Sequence, residues 1–155
     1  PELIKKFPEL HYHCIGIPTE ADAFTIVAKR LHVDSYITFH GSVDAQALKQ
    51  MLSTTDVFVM LSSEDKSGDV EGFGIAILEA NALGVPAIGS KGCGIEDAIQ
   101  PNGSGELVAF DDVEQFRKAL ENIVSNQELY HNAAKRWAKQ HDWSNIIQQY
   151  MTLMA

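Results

Sequence analysis

The sequence predicts an α/β fold: a Rossmann-like open parallel sheet with helices on both faces. Three observations carry this. Short β-rich runs alternate with amphipathic helical stretches along the chain. The connections between them are short. One run, "DVFVML" (56–61), is almost continuously apolar, as expected of a parallel strand covered on both faces.

Residues 2–7 read as the end of a helix that Pro8 stops, since proline brings no N–H and clashes with the preceding turn. "LHYHCIGI" (10–17) is a β-rich run ended by Gly16 and Pro18. "TEADAFTIVAKRLHV" (19–33) reads as a helix with Thr19 as N-cap and Ala23, Ile26, Val27 and Leu31 at helical spacing. "YITFHG" (36–41) is a second strand closed by Gly41, and Ser42 or Asp44 opens the amphipathic helix "AQALKQMLSTT". After strand 56–61 comes a polar loop, "SSEDKSGDVEG", then a helix over about 74–83 and a strand, "VPAIGS" (85–90). A short helix near 95–100, the turn "PNGSGE" and a last strand, "LVAF", follow. From Asp111 the pattern is helical to the end, with breaks near Asn126 and His141.

The 155 residues are one domain's worth, and 45% hydrophobic content is that of a globular chain. The net charge of −9 disfavours a nucleic-acid binder or an anionic-membrane binder, either of which needs a basic patch. No apolar run approaches the roughly 20 residues of a membrane span. Cys14 and Cys93 form no CxxC pair, which points to a reducing compartment. The chain opens on "PELIKKFPEL" without an initiator Met, and reads as a piece of a longer protein.

In open parallel sheets, ligands bind outside the carboxyl ends of the strands. The loops after Gly16, His40, Leu61 and Ser90 should therefore gather on one edge, and they are rich in glycine and carboxylate. Gly72 and Gly74 lie at a helix start, where unpaired N–H groups and the positive end of the helix dipole favour an anion such as phosphate. Glu71 stands before that helix and Glu79 about a turn and a half into it. Carboxylates accept hydrogen bonds from hydroxyls and do not bind phosphate. Two acids around a phosphate-binding helix start suit a ligand with both phosphates and sugar hydroxyls, as in a sugar nucleotide.

Other readings are weaker. "GFG" and "GCG" do not complete GxGxxG in a strand–turn–helix context, and there is no GxxxxGK[ST]. "EDKSGDVE" has Val70 where a calcium loop starting at Asp65 needs Gly, and lacks its closing Glu. His11 and His13 alternate on a strand and read as structural. Cys93 reads as a packing residue, and Trp137, Trp143 and Tyr150 are spaced for helix packing.

"EGFGIAILE", followed by "ANALGVPAIGSKGCGIEDAI" and "GSGELV", resembles the donor-binding core of retaining GT-B glycosyltransferases, family 4 (group 1), with their E-x7-E pattern. "ITFHGSV", "LKQMLSTTDVFVMLSS" and the closing helix "WSNIIQQYMTLMA" extend the resemblance over nearly the whole chain. It implies transfer of a sugar from a UDP- or GDP-linked donor, with retention, in cell-surface polysaccharide, glycolipid or glycoconjugate biosynthesis. Glu71 would be the catalytic residue, contacting hydroxyls of the transferred sugar, and Glu79 would accept from the ribose. The backbone around Gly72, Phe73, Gly74 and Ile75 would face donor sugar and diphosphate; His40, Gly41 and Ser62 would line the nucleotide pocket. No metal or other cofactor is required by the resemblance. The long "SSEDKSGDVEGFG" loop looks like that of the phosphatidylinositol mannosyltransferase branch.

Two parts of the family pattern do not occur in these residues: a first strand with a "GRLxxxKG"-like loop, whose Arg and Lys grip the diphosphate, and an N-terminal acceptor domain. Residues 1–155 therefore read as the C-terminal donor-binding domain, partnered in cis by the acceptor domain, inactive alone and cytoplasmic, with a membrane-surface acceptor allowed through that other domain. The alternative is a non-catalytic nucleotide-binding or interaction module of the same fold.

Overall fold

A computed structural model of the chain describes residues 1–63, 68 and 70–154. The stretch weighed above as a calcium loop falls mostly outside the described residues. The chain divides into two compact units, Pro1–Gln50 and Met51–Ala155.

The first unit contains α1 (Glu2–Lys6), β1 (Tyr12–Ile15), α2 (Ala21–Arg30), β2 (Ile37–Gly41) and the start of α3 (Ala45–Ser53). β1 and β2 run parallel from Tyr12↔Ile37 to Ile15↔Gly41, with an irregularity after Cys14. One expectation needs correction here. Thr19 does not cap α2: its hydroxyl turns back to the Ile17 carbonyl, and the helix starts later, with Glu20 as a cap that makes no side-chain bond. The apolar stripe of Ile26, Val27 and Leu31, at helical spacing as read, is exposed. Ala28 is the buried residue of α2, and Ile26 is 69% exposed. Helical spacing identifies an apolar face but not what covers it. At α3, Asp44 rather than Ser42 is the cap, its carboxylate accepting from the Ala47 N–H at 2.8 Å.

The second unit holds β3 (Phe58–Met60), α4 (Ile75–Ala82), β4 (Ala87–Ser90), α5 (Ile95–Ala98), β5 (Gly105–Val108), α6 (Val113–Ser125), α7 (Gln127–Gln140) and α8 (Trp143–Leu153). Its sheet has the order β3-β4-β5, all parallel. The class read from sequence, α/β with parallel strands and flanking helices, holds in both units. β4 lies between two neighbours and every residue of it is buried. Ile77, Ala87, Ile95, Ala98 and Ile99 form the core there, with Phe58, Met60, Phe73, Cys93 and Leu107 packed against it. Cys93 is thus a packing residue, as its sequence context suggested.

The ends of α4 are fixed by specific contacts. The buried Asn81 side chain donates to the Val85 carbonyl at 2.8 Å and to that of Ser104 at 3.3 Å, tying the helix to the segments leading into β4 and β5. Gly84 ends the helix at φ +84°, and a Cβ there would lie 2.3 Å from the His131 ring, so the turn can approach α7 this closely only as glycine.

The Trp137 indole N–H donates to the Ala98 carbonyl at 2.9 Å, holding α7 on α5. The buried Tyr130 hydroxyl bonds Glu106, and Asn122 donates to both of them. Burial, followed by the adjacent Glu106 carboxylate, pushes the Tyr130 phenol above its ordinary range. The helix breaks come at Asn126 and His141 as read, and Asp112 and Asp142 cap α6 and α8. Trp143 and Tyr150 differ from expectation, being 78% and 63% exposed on α8.

Candidate functional site

β3 and β4 end side by side, and the loops that leave their carboxyl ends meet. Ser62 follows β3, and its N–H donates to the Ser90 hydroxyl at 2.8 Å. The Ser62 hydroxyl in turn accepts from the Glu71 N–H at 3.3 Å. On its other side Glu71 offers its carbonyl to the Gly94 N–H at 3.1 Å. The backbone of Glu71 is therefore held between the loop after β3 and the turn after β4. A Cβ on Gly94 would lie 1.8 Å from the Gly72 carbonyl oxygen, so glycine alone permits this approach.

Gly74 is the N-cap of α4, in the left-handed region at φ +82°. It has no side chain with which to cap the helix, and Glu71 supplies one. Its Oε1 accepts from the Gly74 N–H at 3.1 Å and faces that of Phe73 at 3.5 Å. Among the described residues, nothing accepts from the next two N–H groups, those of Ile75 and Ala76. α4 is eight residues long, so its positive dipole end stands at this loop. The side chain of Glu79, exposed on α4, makes no hydrogen bond or ion pair with a described residue. In the described parts of these loops the charged side chains are Glu71 and Lys91, which is exposed in the turn after β4.

Ser62, Glu71, Gly72, Phe73, Gly74 and Ile75 thus come together in the second unit, with Glu79 a turn further along α4. His40 and Gly41 belong to the first. Gly41 lines a cavity of about 170 Å³ with Cys14, Ile15, Gly16, Pro18 and Phe39 at the carboxyl end of β1 and β2. His40 is exposed, and its Nε2 lies 2.9 Å from Nδ1 of His13, with the rings stacked. His11 stands beside His13, with ring centroids 4.7 Å apart, and bonds Thr38.

This histidine row makes a pH prediction. Partial burial, then the neighbouring His11 and His40, hold the His13 pKa below its ordinary value. The unfolded chain consequently binds more protons than the folded one below about pH 6.5, and folding loses stability as pH falls through that window. Relative to His13→Gln, the wild type should melt at a lower temperature at pH 5.5 than at pH 7.5. Parallel pH profiles of the two would refute this.

Three contributors were not legible in sequence. Ser90 is a fully buried serine at the end of an otherwise apolar strand. That was a cue in itself, since a buried hydroxyl needs a partner. Gly94 was visible as part of a glycine turn, but not as the point of contact with Gly72. His141 comes from far along the chain to lie 6.3 Å from the Phe73 ring, and no local pattern announces it.

Residues 1–140 match a family model described as "Glycosyl transferases group 1". The chain is 30% identical over 131 residues to the N-acetyl-alpha-D-glucosaminyl L-malate synthase of Bacillus anthracis, covering 82% of this chain and 32% of that protein. It is 28% identical over 127 residues to a GDP-mannose-dependent alpha-(1-6)-phosphatidylinositol monomannoside mannosyltransferase of Mycolicibacterium smegmatis, covering 81% and 33%. The chain therefore spans about a third of the length of these relatives. Among solved structures, the pneumococcal O-GlcNAc transferase GtfA in complex with UDP and GlcNAc superposes with a TM-score of 0.76 at 20% identity, over 98% of this chain and 30% of that one. At that identity the likeness is one of fold.

Proposed function

Because the chain belongs to the group 1 glycosyl transferases, we propose that it is the donor-binding domain of a retaining, GT-B family 4 enzyme. The enzyme would transfer a hexose from a UDP- or GDP-linked donor in polysaccharide, glycolipid or glycoconjugate synthesis on the cytoplasmic side. The acceptor domain and the first strand of the donor domain would be supplied in cis by the rest of the protein, and these residues alone would not turn over.

The observation that carries this reading is the start of α4. There the open N–H groups of Ile75 and Ala76 stand at the positive end of the helix beside the Glu71 carboxylate, with Glu79 exposed one turn further along α4. Retaining transfer passes through an oxocarbenium-like state while negative charge grows on the departing nucleoside diphosphate. Fixed N–H donors and a helix dipole stabilise that charge without having to reorganise, and this differential stabilisation lowers the barrier. Glu71 accepts from the hydroxyls of the transferred sugar and fixes its orientation. Glu79 accepts from the ribose. Since donors and dipole serve the diphosphate, no metal is required.

UDP, GDP and ADP titrated without metal should each shift backbone amide resonances between residues 71 and 80. Silence of those resonances for all three nucleotides would sink the assignment.

A further inference from the structure

Glu71 is asked to accept from a sugar hydroxyl, yet in this structure its Oε1 is bonded to its own loop. It takes the Gly74 N–H at 3.1 Å and faces that of Phe73 at 3.5 Å. These are among the amides that the donor reading gives to the sugar and diphosphate. A carboxylate and a phosphate oxygen cannot share them at low cost, because each wants the same donors and the two carry like charge. The backbone of Glu71 is held independently of its side chain, through the Ser62 hydroxyl and the Gly94 N–H. The carboxylate can therefore swing away by side-chain rotation while the loop keeps its place.

We propose that the Glu71 carboxylate is an internal anion competing with the donor for the amides of Phe73 and Gly74. Donor binding exchanges it off those amides and so delivers it to the sugar. The inference rests on the donor-site reading above and adds a step to it: one residue first caps α4 and then changes partner. The exchange lowers affinity for a nucleoside diphosphate without a sugar, since that ligand displaces the carboxylate but offers it no hydroxyl of a transferred sugar in return.

The test is calorimetric titration of UDP and GDP into the full-length wild-type protein and its Glu71→Ala variant, with folding checked by thermal melting. Removing the competitor should tighten nucleoside diphosphate binding by about three- to tenfold, even as the variant loses transfer. The Phe73 and Gly74 amide resonances should differ between the two free proteins and converge on the same positions once nucleotide is bound. Equal or weaker binding by Glu71→Ala, with the wild type still binding, overturns the exchange and leaves the donor site standing. If neither folded protein binds, the donor-site reading fails and the exchange with it. If Glu71→Ala does not fold, Glu71→Gln replaces it: its neutral amide oxygen competes more weakly for the N–H groups and does not repel the phosphates. Nucleoside diphosphate should then bind it more tightly than wild type, and equal or weaker binding overturns the exchange.

Discussion

Replacing Glu71 by alanine in the full-length protein is expected to lower kcat at least ~10²-fold, the scale seen when one preorganised polar contact to a reacting group is removed. The loss should fall on turnover, because the contact removed is to the transferred sugar, while nucleoside diphosphate affinity rises as the exchange above requires. The substitution also removes the side chain that caps α4 through the Gly74 N–H. That structural part is about 1 kcal/mol, the ordinary worth of a cap, and would appear as a slightly lower melting temperature. Glu71→Gln separates the two effects, since its amide oxygen can still accept from Gly74 but carries no charge. Steady-state kinetics of both variants is the measurement. Turnover within threefold of wild type in a folded Glu71→Ala protein would remove Glu71 from the reaction.

Gly94→Ala is expected to be among the most damaging single-methyl additions in the second unit. The backbone of Gly94 is ordinary for any residue, at φ −61° and ψ −12°, so conformational strain is not the reason. Space is. The added Cβ would lie 1.8 Å from the Gly72 carbonyl oxygen and 2.3 Å from its carbon, and both are backbone atoms that no side-chain rotation can move aside. The turn after β4 and the loop at Glu71 must separate, which breaks the 3.1 Å bond from the Gly94 N–H to the Glu71 carbonyl. Overpacking of this kind costs roughly 2–3 kcal/mol, or a melting temperature lower by about 5–10 °C for a chain of this size. Nucleotide binding should fall as well, because the amides of residues 73–75 move with the loop. Gly92 is the control: a Cβ there meets nothing within 4 Å, and its φ of +81° makes it a site of strain without collision. Gly92→Asn, which tolerates that region, should remain close to wild type in both melting and binding. Equal behaviour of the Gly94 and Gly92 variants would show that contact between the loops does not matter.

The relation between sequence and structure differs from element to element. α4 was legible because its cues are local: glycines at its entry, the apolar stretch Ile75 to Leu78 and a glycine at its exit. The helix breaks at Asn126 and His141, the Asp44 option at α3 and the strand at β4 were read from the same kind of signal. β3, by contrast, read as covered on both faces, is only half-buried, and it is β4 that is buried throughout. Thr19 was misread because its hydroxyl had two local partners to choose from, the first turn of α2 or the Ile17 carbonyl, and the sequence does not rank them. Helical spacing in α2 stated which residues share a face and nothing about what lies opposite.

By itself the sequence determined the α/β class, the parallel strands, the family and the two carboxylates flanking a helix start. All of these depend on residue type at short spacing, through backbone preference, periodicity and charge. Only the tertiary structure decided that Ser62 and Ser90, 28 residues apart, are bonded to each other, that Gly94 abuts Gly72, that His141 stands near Phe73 and that the Glu71 carboxylate rests on its own helix. These are matters of where chain segments meet and of which of several acceptors a donor reaches first. Such choices are made by packing, which no local pattern encodes.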